Sequence, residues 1–264
     1  MDFSEDQIRR YARHIVLPEV GGTGQSRLLE SQVLVIGAGG LGAPLLMYLA
    51  AAGVGSVGVV DDDTVDLSNL QRQVIHATDR IGGSKVDSAG KTVAAINPDI
   101  SFVAHHTRLT VDNVDELMGP YDIVADGSDN FDTRFLVNDA CHLAGKTLVS
   151  GAILGFEGQI ATFRSGLGHG EPCYRCLYRE APAPELTTRC AEGGVLGALA
   201  GTVGSLQAVE VLKEIIGIGD SLAGSLLIYD ALAINFQRMK LPRNPLCPLC
   251  GDTPSITDLS AYAA

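Results

Sequence analysis

Along the chain, apolar positions alternate between a run spacing and a helical spacing. Gln32-Val-Leu-Val-Ile36 is an apolar run of strand length, stopped by Gly37-Ala-Gly-Gly-Leu-Gly42. Ala43–Ala52 then reads as a buried helix closed by Gly53, and Ser56–Val60 as a second strand ending at Asp61. The same grammar repeats downstream. Lys85–Ile96 predicts a helix stopped by Asn97-Pro98, Ser101–Ala104 a strand, and Asp122–Ala125 a strand running into Asp126-Gly-Ser-Asp-Asn130. Phe131–Ala144 predicts a helix closed by Gly145, followed by a strand over Thr147–Ser150. Upstream, Ser4 and Gln7 form a capping box for a short helix through Arg9-Arg10-Tyr11, and Gln25–Glu30 predicts another. Strands alternating with helices predict an α/β fold with a mostly parallel, doubly wound sheet.

After Gly151 the pattern changes. Gln159-Ile-Ala-Thr-Phe-Arg164 alternates like a half-exposed strand. A loop rich in Cys, Gly and Pro follows, then a long helix from about Val195 to Ile216, and Leu226–Tyr229 with Ala233–Met239 predicts an antiparallel hairpin. The organisation expected is one domain: a Rossmann-like nucleotide-binding core over about residues 30–150, an antiparallel C-terminal extension with a four-cysteine zinc module over about 151–251, and a tail over 252–264.

Composition narrows the class. The chain has 264 residues, 46% of them hydrophobic and 19% charged, which supplies a globular core and excludes a disordered chain. Its net charge of −12 repels polyanions, so no nucleic-acid or anionic-membrane partner is expected. The stretch Ser31–Val60 carries no charge and is long enough to span a bilayer, but its glycines, Pro44 and mid-way change of period fit strand, turn, helix and strand better. The first residues are acidic with no apolar run behind them, so the expectation is a cytoplasmic protein.

The chemistry starts at Gly37-Ala-Gly39-Gly40-Leu-Gly42, a G-x-G-x-x-G between a strand and a helix. Gly37 permits the tight turn, Gly39 lets the backbone approach a phosphate, Gly42 allows close helix packing, and the helix N-terminus favours an anion. Asp61, at the end of the next strand, is placed to accept from ribose hydroxyls. A dinucleotide and ATP both fit this unit. The loop Asp61-Asp-Asp-Thr-Val-Asp-Leu-Ser68-Asn69-Leu-Gln-Arg72-Gln and the following Lys85 shift the balance. Hydride transfer has little use for those cations, whereas phosphoryl or nucleotidyl transfer needs them to offset a triphosphate. Asp129, beside Asn130 at the carboxyl end of a strand, is placed to hold Mg²⁺. Taken singly, Arg72 and Lys85 would be surface charges and Asp129 a helix N-cap.

Cys173-Tyr-Arg-Cys176 and Cys247-Pro-Leu-Cys250 are two C-x-x-C knuckles, the donor set of a closed tetrahedral Zn²⁺ site with a structural role. Redox pairs are the alternative. Cys141 in an apolar helix reads as core, and Cys190, outside both knuckles, as a loop thiol or a reactive one beside Arg189.

Together GAGGLG at 37–42, DDDTVDLSNLQRQ at 61–73, DGSDN at 126–130, EGQ at 157–159, EPCYRC at 171–176, GSLQA at 204–208 and NPLCPLCG at 244–251 resemble the MoeB/ThiF/HesA family. Its members are ubiquitin-activating-enzyme-like adenylyltransferases. The resemblance runs from about residue 5 to 251 and implies a reaction: ATP and the C-terminal Gly-Gly carboxylate of a small ubiquitin-like sulfur carrier give a carrier acyl-adenylate and pyrophosphate. It implies ATP held by Gly39, Gly40 and Gly42, with Asp61 on the ribose. Asn69, Arg72 and Lys85 would contact the phosphates, Ser68 and Asn130 would also bind the ATP, and Asp129 would hold Mg²⁺. It further implies a homodimer in which Arg13 reaches the neighbouring subunit's ATP. Likeness to MoeB-type members implies a MoaD-like carrier of molybdopterin synthesis, and a ThiS-like carrier of thiamine synthesis is the alternative. Cys190 aligns with a cysteine that some ThiF-like members link covalently to their carrier. Only 14 residues follow Cys250, where some relatives append a rhodanese-like domain, so a separate sulfur donor is expected. An NAD(P)-dependent oxidoreductase and a non-catalytic zinc scaffold are the rival classes.

Overall fold

A computed structural model describes residues 3–181 and 194–262. Eight strands form one sheet in the order β3-β2-β1-β4-β5-β6-β7-β8. β1 (Gln32–Ile36), β2 (Ser56–Val60), β3 (Ser101–His105), β4 (Ile123–Asp126) and the first half of β5 (Thr147–Leu154) run parallel. β6 (Glu157–Phe163), β7 (Ser225–Asp230) and β8 (Asn235–Lys240) continue the sheet antiparallel.

The apolar runs of β1 and β2 are buried on both faces, which is why they lack a polar alternation. Val33, Val35, Val57 and Val59 point to one core with Leu45, Leu46 and Leu49 of α3 (Gly42–Ala52). Leu34, Ile36 and Val60 point to the other, with Phe135, Leu136 and Ala140. The first face is covered by α2 (Gly21–Glu30), α3, α4 (Lys85–Ile96) and the long helix α8 (Gly197–Ile216). α5 (Val114–Met118), α6 (Phe131–Leu143) and α7 (Tyr174–Leu177) lie on the second, and α1 (Glu5–Ile15) packs beside α2. The uncharged stretch 31–60 is thus β1, α3 and β2, and no described helix is long and apolar enough to cross a membrane.

The expected elements appear, and their bounds carry physical lessons. β1, β2 and α4 begin and end where the pattern places them. α1 carries the Ser4/Gln7 capping box, and α3 ends on Gly53 in the left-handed region, φ 82°. α2 starts at Gly21, ahead of Gln25, because its glycines hide the helical spacing. The segment 159–164 is a correction: β6 is mostly buried rather than half-exposed, with its last four residues inside. Gly158 lets α8 lie directly on the strand, since a Cβ there would come within 2.4 Å of Val203 Cγ2. α5 and α7, of five and four residues, are too short to leave a periodic signal.

One polar group ties α1 to this framework. Asn97 is fully buried, and its Nδ2 donates to Tyr11 Oη at 2.9 Å and to the Ala50 carbonyl at 2.8 Å. Replacing it by alanine removes both bonds, so the buried Tyr11 hydroxyl loses this donor and the Ala50 carbonyl keeps only the Gly53 N–H. Asn97→Ala should therefore lower unfolding free energy by about 1–3 kcal/mol, read from the denaturant midpoint at unchanged slope. A midpoint within error of the parent would show that water reaches these groups.

Candidate nucleotide-binding site and four-cysteine centre

The strand order reverses between β1 and β4, and in open α/β sheets ligands bind in the crevice at that point. Register brings the carboxyl ends level: Ile36 pairs with Val60 on one side and with Asp126 on the other. Three loops therefore emerge side by side, starting at Gly37, Asp61 and Gly127. They touch. Gly37 sits at φ 92°, and a Cβ on it would lie 3.3 Å from the Gly127 carbonyl oxygen. A Cβ at Gly42 would lie 1.9 Å from the Gly37 carbonyl oxygen, so only glycine permits this strand-to-helix joint. At Gly39 the nearest atom to such a Cβ, among the described residues, is Gln73 Nε2 at 3.7 Å. The space beside Gly39 is open, as a site for an approaching phosphate requires.

The acidic and cationic residues gather on this loop. Asp61 Oδ2 accepts from Ala38 N–H at 2.8 Å and its Oδ1 from Asp63 N–H at 2.9 Å, which fixes the carboxylate and leaves it lone pairs for a hydroxyl. The Arg72 stem runs past Gly40, its Cγ and Cδ 3.8 Å from where a Cβ would be, and its Nη1 donates to the Ser68 carbonyl at 3.0 Å. An isolated bridge between Thr64 and Ser84 brings the start of α4 alongside the acidic loop. Lys85, only 6% exposed, there sets its Nζ 2.7 Å from Asp63 Oδ2. A buried ammonium with one such partner keeps two N–H donors for a ligand. Lys85 is thus not a solvated surface charge, whereas Arg72 is half-buried along the loop.

Three expected residues are held differently. The Ser68 hydroxyl and N–H both donate to Asp66 Oδ1, and Asn69 completes a capping box with Asp66. These two shape the loop's 3-10 turn. On β4's loop the cap of α6 is Asn130, whose Oδ1 accepts from Thr133 N–H at 2.9 Å. Asp129 is therefore not the N-cap, and its carboxylate stands exposed at the crevice. Arg13 is exposed on α1, two residues from Tyr11, which packs on Gly53 at the far end of α3. The length of α3, about 16 Å for its eleven residues, separates that end from the chain's own glycine loop. Cys190 lies outside the described residues.

Other side chains here left little trace in the sequence. His76 is buried between the Ala38 carbonyl (Nε2, 3.0 Å) and Ser88 Oγ (Nδ1, 2.9 Å). Burial first, then the nearby Lys85 charge, hold its pKa below the ordinary histidine value. Asp126 accepts from Ser128 N–H at 2.9 Å, while Arg134 Nη2 donates to the Ser128 carbonyl at 2.8 Å. Burial pushes the Asp126 carboxyl above the usual carboxylate range, with Arg134 opposing it. Gln207 of α8 donates to the Asp126 carbonyl at 2.9 Å, beneath Gly151, where a Cβ would strike the Gln207 amide at 2.4 Å. The DGSDN and GSLQA motifs were the available signals for Asp126 and Gln207. A single histidine and a single arginine gave none.

The two knuckles meet at the other end of α6. Cys173, Cys176, Cys247 and Cys250 bring their sulfurs within 4.8 Å of one another, with 3.5 Å between Cys173 and Cys247 and 3.4 Å between Cys176 and Cys250. A tetrahedral ion with bonds of about 2.3 Å needs sulfurs about 3.8 Å apart, so small shifts would seat one. Hydrogen bonding among the four sulfurs lowers Cys176 and Cys247 and raises Cys173 and Cys250, so the cluster shares its protons as one unit. Arg175, inside the first knuckle, locks onto buried Asp139 of α6 through Nε (2.8 and 3.1 Å) and Nη2 (2.7 Å). Cys141 is buried core, its pKa raised by burial.

Residues 11–249 match the model of the ThiF family. The chain belongs to this family. A sulfur carrier protein adenylyltransferase of Thermus thermophilus is 51% identical over all of this chain and 98% of its own length. The SAMP-activating enzyme E1 of Haloferax volcanii is 51% identical over 93% of the chain and 90% of its length. The adenylyltransferase and sulfurtransferase MOCS3 of Sus scrofa is 50% identical over 98% of the chain, which spans 56% of that longer protein. Among solved structures, E. coli MccB with MccA-N7isoASN shares the fold at TM-score 0.81 and 20% identity, covering 92% of this chain and 74% of that one.

Two glycine substitutions separate packing from ligand approach. Gly42→Ala should cost about 1–3 kcal/mol or more of stability, because the Gly37 carbonyl must move. Gly39→Ala should leave the thermal midpoint unchanged yet weaken ATP binding at least tenfold by calorimetry. Full ATP affinity in Gly39→Ala would place the phosphates elsewhere.

Proposed function

We propose that the protein uses ATP to adenylylate the C-terminal Gly-Gly carboxylate of a small ubiquitin-like sulfur carrier, with release of pyrophosphate. The observation that carries the reading is the cation pair at the glycine loop, Arg72 against Gly40 and Lys85 beside the Asp61–Asp63 segment. The names of the full-length relatives, among them a sulfur carrier protein adenylyltransferase, support the choice of substrate. A nicotinamide site has no role for these cations, and a bare zinc scaffold none for the crevice.

The chemistry needs no protein base. A C-terminal carboxylic acid has a pKa near 3.5, about the ordinary value, so at neutral pH it is already an anion. Its oxygen attacks the α-phosphorus in line, the bond from that phosphorus to the bridging oxygen breaks, and pyrophosphate leaves with the electron pair. The protein's part is to align the two reactants and to meet the charge on the leaving group. In this reading Gly39, Gly40 and Gly42 cradle the phosphates and Asp61 takes the ribose. Ser68 and Asn69 shape the loop that carries Arg72, and Arg72 and Lys85 face the β- and γ-phosphates. Asp129, beside Asn130, would hold Mg²⁺, which screens phosphate charge when bound. Arg13 sits on the helix that packs at the Gly53 end of α3, away from where the glycine loop starts, and in a homodimer it would complete the neighbouring chain's site. A MoaD-like carrier is the narrower choice, with a ThiS-like carrier as the alternative, and the acyl-adenylate would pass to a separate sulfur donor. Cys190 would enter only after adenylation, since no thiol takes part in forming the acyl-adenylate. The four cysteines would hold one structural Zn²⁺, with all four positions taken by sulfur and none for a reactant.

With MgATP and a Gly-Gly-ended carrier, the protein should exchange labelled pyrophosphate into ATP, and deletion of the carrier's last glycine should abolish exchange. Arg72→Ala should cut the rate by about 10²-fold or more, as loss of transition-state charge stabilisation. Exchange indifferent to the terminal glycine would overturn the substrate assignment, and running MoaD-like and ThiS-like carriers in parallel decides between them.

Metal analysis should return one zinc per chain. Cys250→Ser should lose the metal and much of the stability, because a four-thiolate zinc contributes on the order of 10 kcal/mol to folding. Zinc-free protein that unfolds like the parent would remove the metal from the account.

A further inference from the structure

Ala38, the second residue of the glycine loop, is fully buried, and both of its backbone polar groups are held by side chains from other segments. Its N–H donates to Asp61 Oδ2 at 2.8 Å, and its carbonyl faces His76 Nε2 at 3.0 Å. A carbonyl only accepts, so Nε2 carries the proton. With the imidazole neutral, Nδ1 accepts from the Ser88 hydroxyl at 2.9 Å. Ser88 lies one turn along α4 from Lys85, and Arg80 Nη1 donates to its carbonyl at 2.8 Å. The groups facing the ring are thus Asp61, Arg80, Lys85 and Ser88, none of which competes for the Ala38 carbonyl.

The consequence lies in the peptide plane. In a trans peptide the carbonyl of one residue and the N–H of the next point in opposite directions. His76 draws the Ala38 carbonyl inward, toward α4, so the Gly39 N–H is turned the other way. Gly39 is also where the structure leaves room for an approaching group, with Gln73 Nε2 at 3.7 Å as the nearest described atom to a Cβ there. A similar device stands across the crevice, where Arg134 holds the Ser128 carbonyl ahead of Asp129.

We propose that His76 is a positioning residue for the triphosphate: by donating Nε2–H to the Ala38 carbonyl it aims the Gly39 N–H at the nucleotide. It touches no reactant and acts through one peptide plane. The proposal rests on the reading of this loop as an ATP site. It also explains a buried histidine that the adenylation chemistry does not otherwise use.

The test compares ATP with adenosine, which lacks the phosphates that the Gly39 N–H would meet. In the full chain, His76→Ala should weaken ATP binding about tenfold, the worth of one hydrogen bond to a charged group, and leave adenosine binding within about twofold. His76→Gln keeps an amide donor near the Nε2 position and should recover most of the ATP affinity. In pyrophosphate exchange the His76→Ala loss should fall on the KM for ATP, with the KM for the carrier unchanged. If His76→Ala does not fold, Ser88→Ala, which removes only the support at Nδ1, should weaken ATP about threefold with adenosine unaffected. Equal losses for ATP and adenosine, or equal losses in His76→Ala and His76→Gln, would overturn the proposal, as would parental ATP affinity in folded His76→Ala. Parental protein that binds no ATP would instead defeat the adenylation reading itself, so the two failures are distinguishable.

Discussion

The structure hinges on one contact that excludes a side chain. Between β1 and α3 the backbone doubles back so tightly that a Cβ at Gly42 would overlap the Gly37 carbonyl oxygen, at 1.9 Å. With hydrogen in its place, α3 starts against the end of β1 and points its N-terminus into the crevice. The neighbouring loop uses the same closeness, since a Cβ at Gly127 would lie 3.2 Å from Gly42 N. Two loops from strands on either side of the switch point can then share one site. Enlarging any of these residues pushes apart the groups on which a ligand depends.

Around that joint, the crevice is built by fixing single residues rather than whole loops. Ala38 and Ser128 are each gripped twice, by a carboxylate on the N–H and a nitrogen donor on the carbonyl. The grips come from other positions along the chain: Asp61 and His76 for the first, Asp126 and Arg134 for the second. Such preorganisation matters for phosphoryl-type transfer, where the protein contributes charge and alignment and no covalent chemistry. It also accommodates a cationic site in a chain of net charge −12. Lys85 is buried with its Nζ 2.7 Å from Asp63 Oδ2, so the acidic loop supports the cation that it adjoins.

The antiparallel half of the sheet extends this platform and anchors the cysteines. α8 crosses from α3 to β6, and glycines mark its crossings: a Cβ at Gly204 would lie 2.3 Å from the Leu41 carbonyl oxygen, and Gly158 lies under Val203. Gln207 on the same helix reaches the end of β4. α6 leads from Asn130 at the crevice to Asp139, which clamps Arg175 of the first knuckle. One helix thus runs from the loop of Asp129 to the clamp that holds the first knuckle.

The sequence by itself determined the alternation of strands and helices, the glycine joint, the acid after β2 and the pairing of the cysteines. Each of these is written in local spacing: an apolar run, a G-x-G-x-x-G, two C-x-x-C knuckles. The polar loop after β2 supplied the candidate cations, and in the structure the Arg72 stem runs along Gly40 while Lys85 meets Asp63. Tertiary structure alone decided what meets across the chain. The burial of β6 depends on α8 lying over Gly158, and the cap of α6 falls to Asn130, which frees Asp129. That α1, which carries Arg13, packs at the Gly53 end of α3 follows from Tyr11 against Gly53. His76 and Arg134 were silent for the same reason. Their partners are backbone carbonyls 38 and six positions away, and a carbonyl has no letter in the sequence.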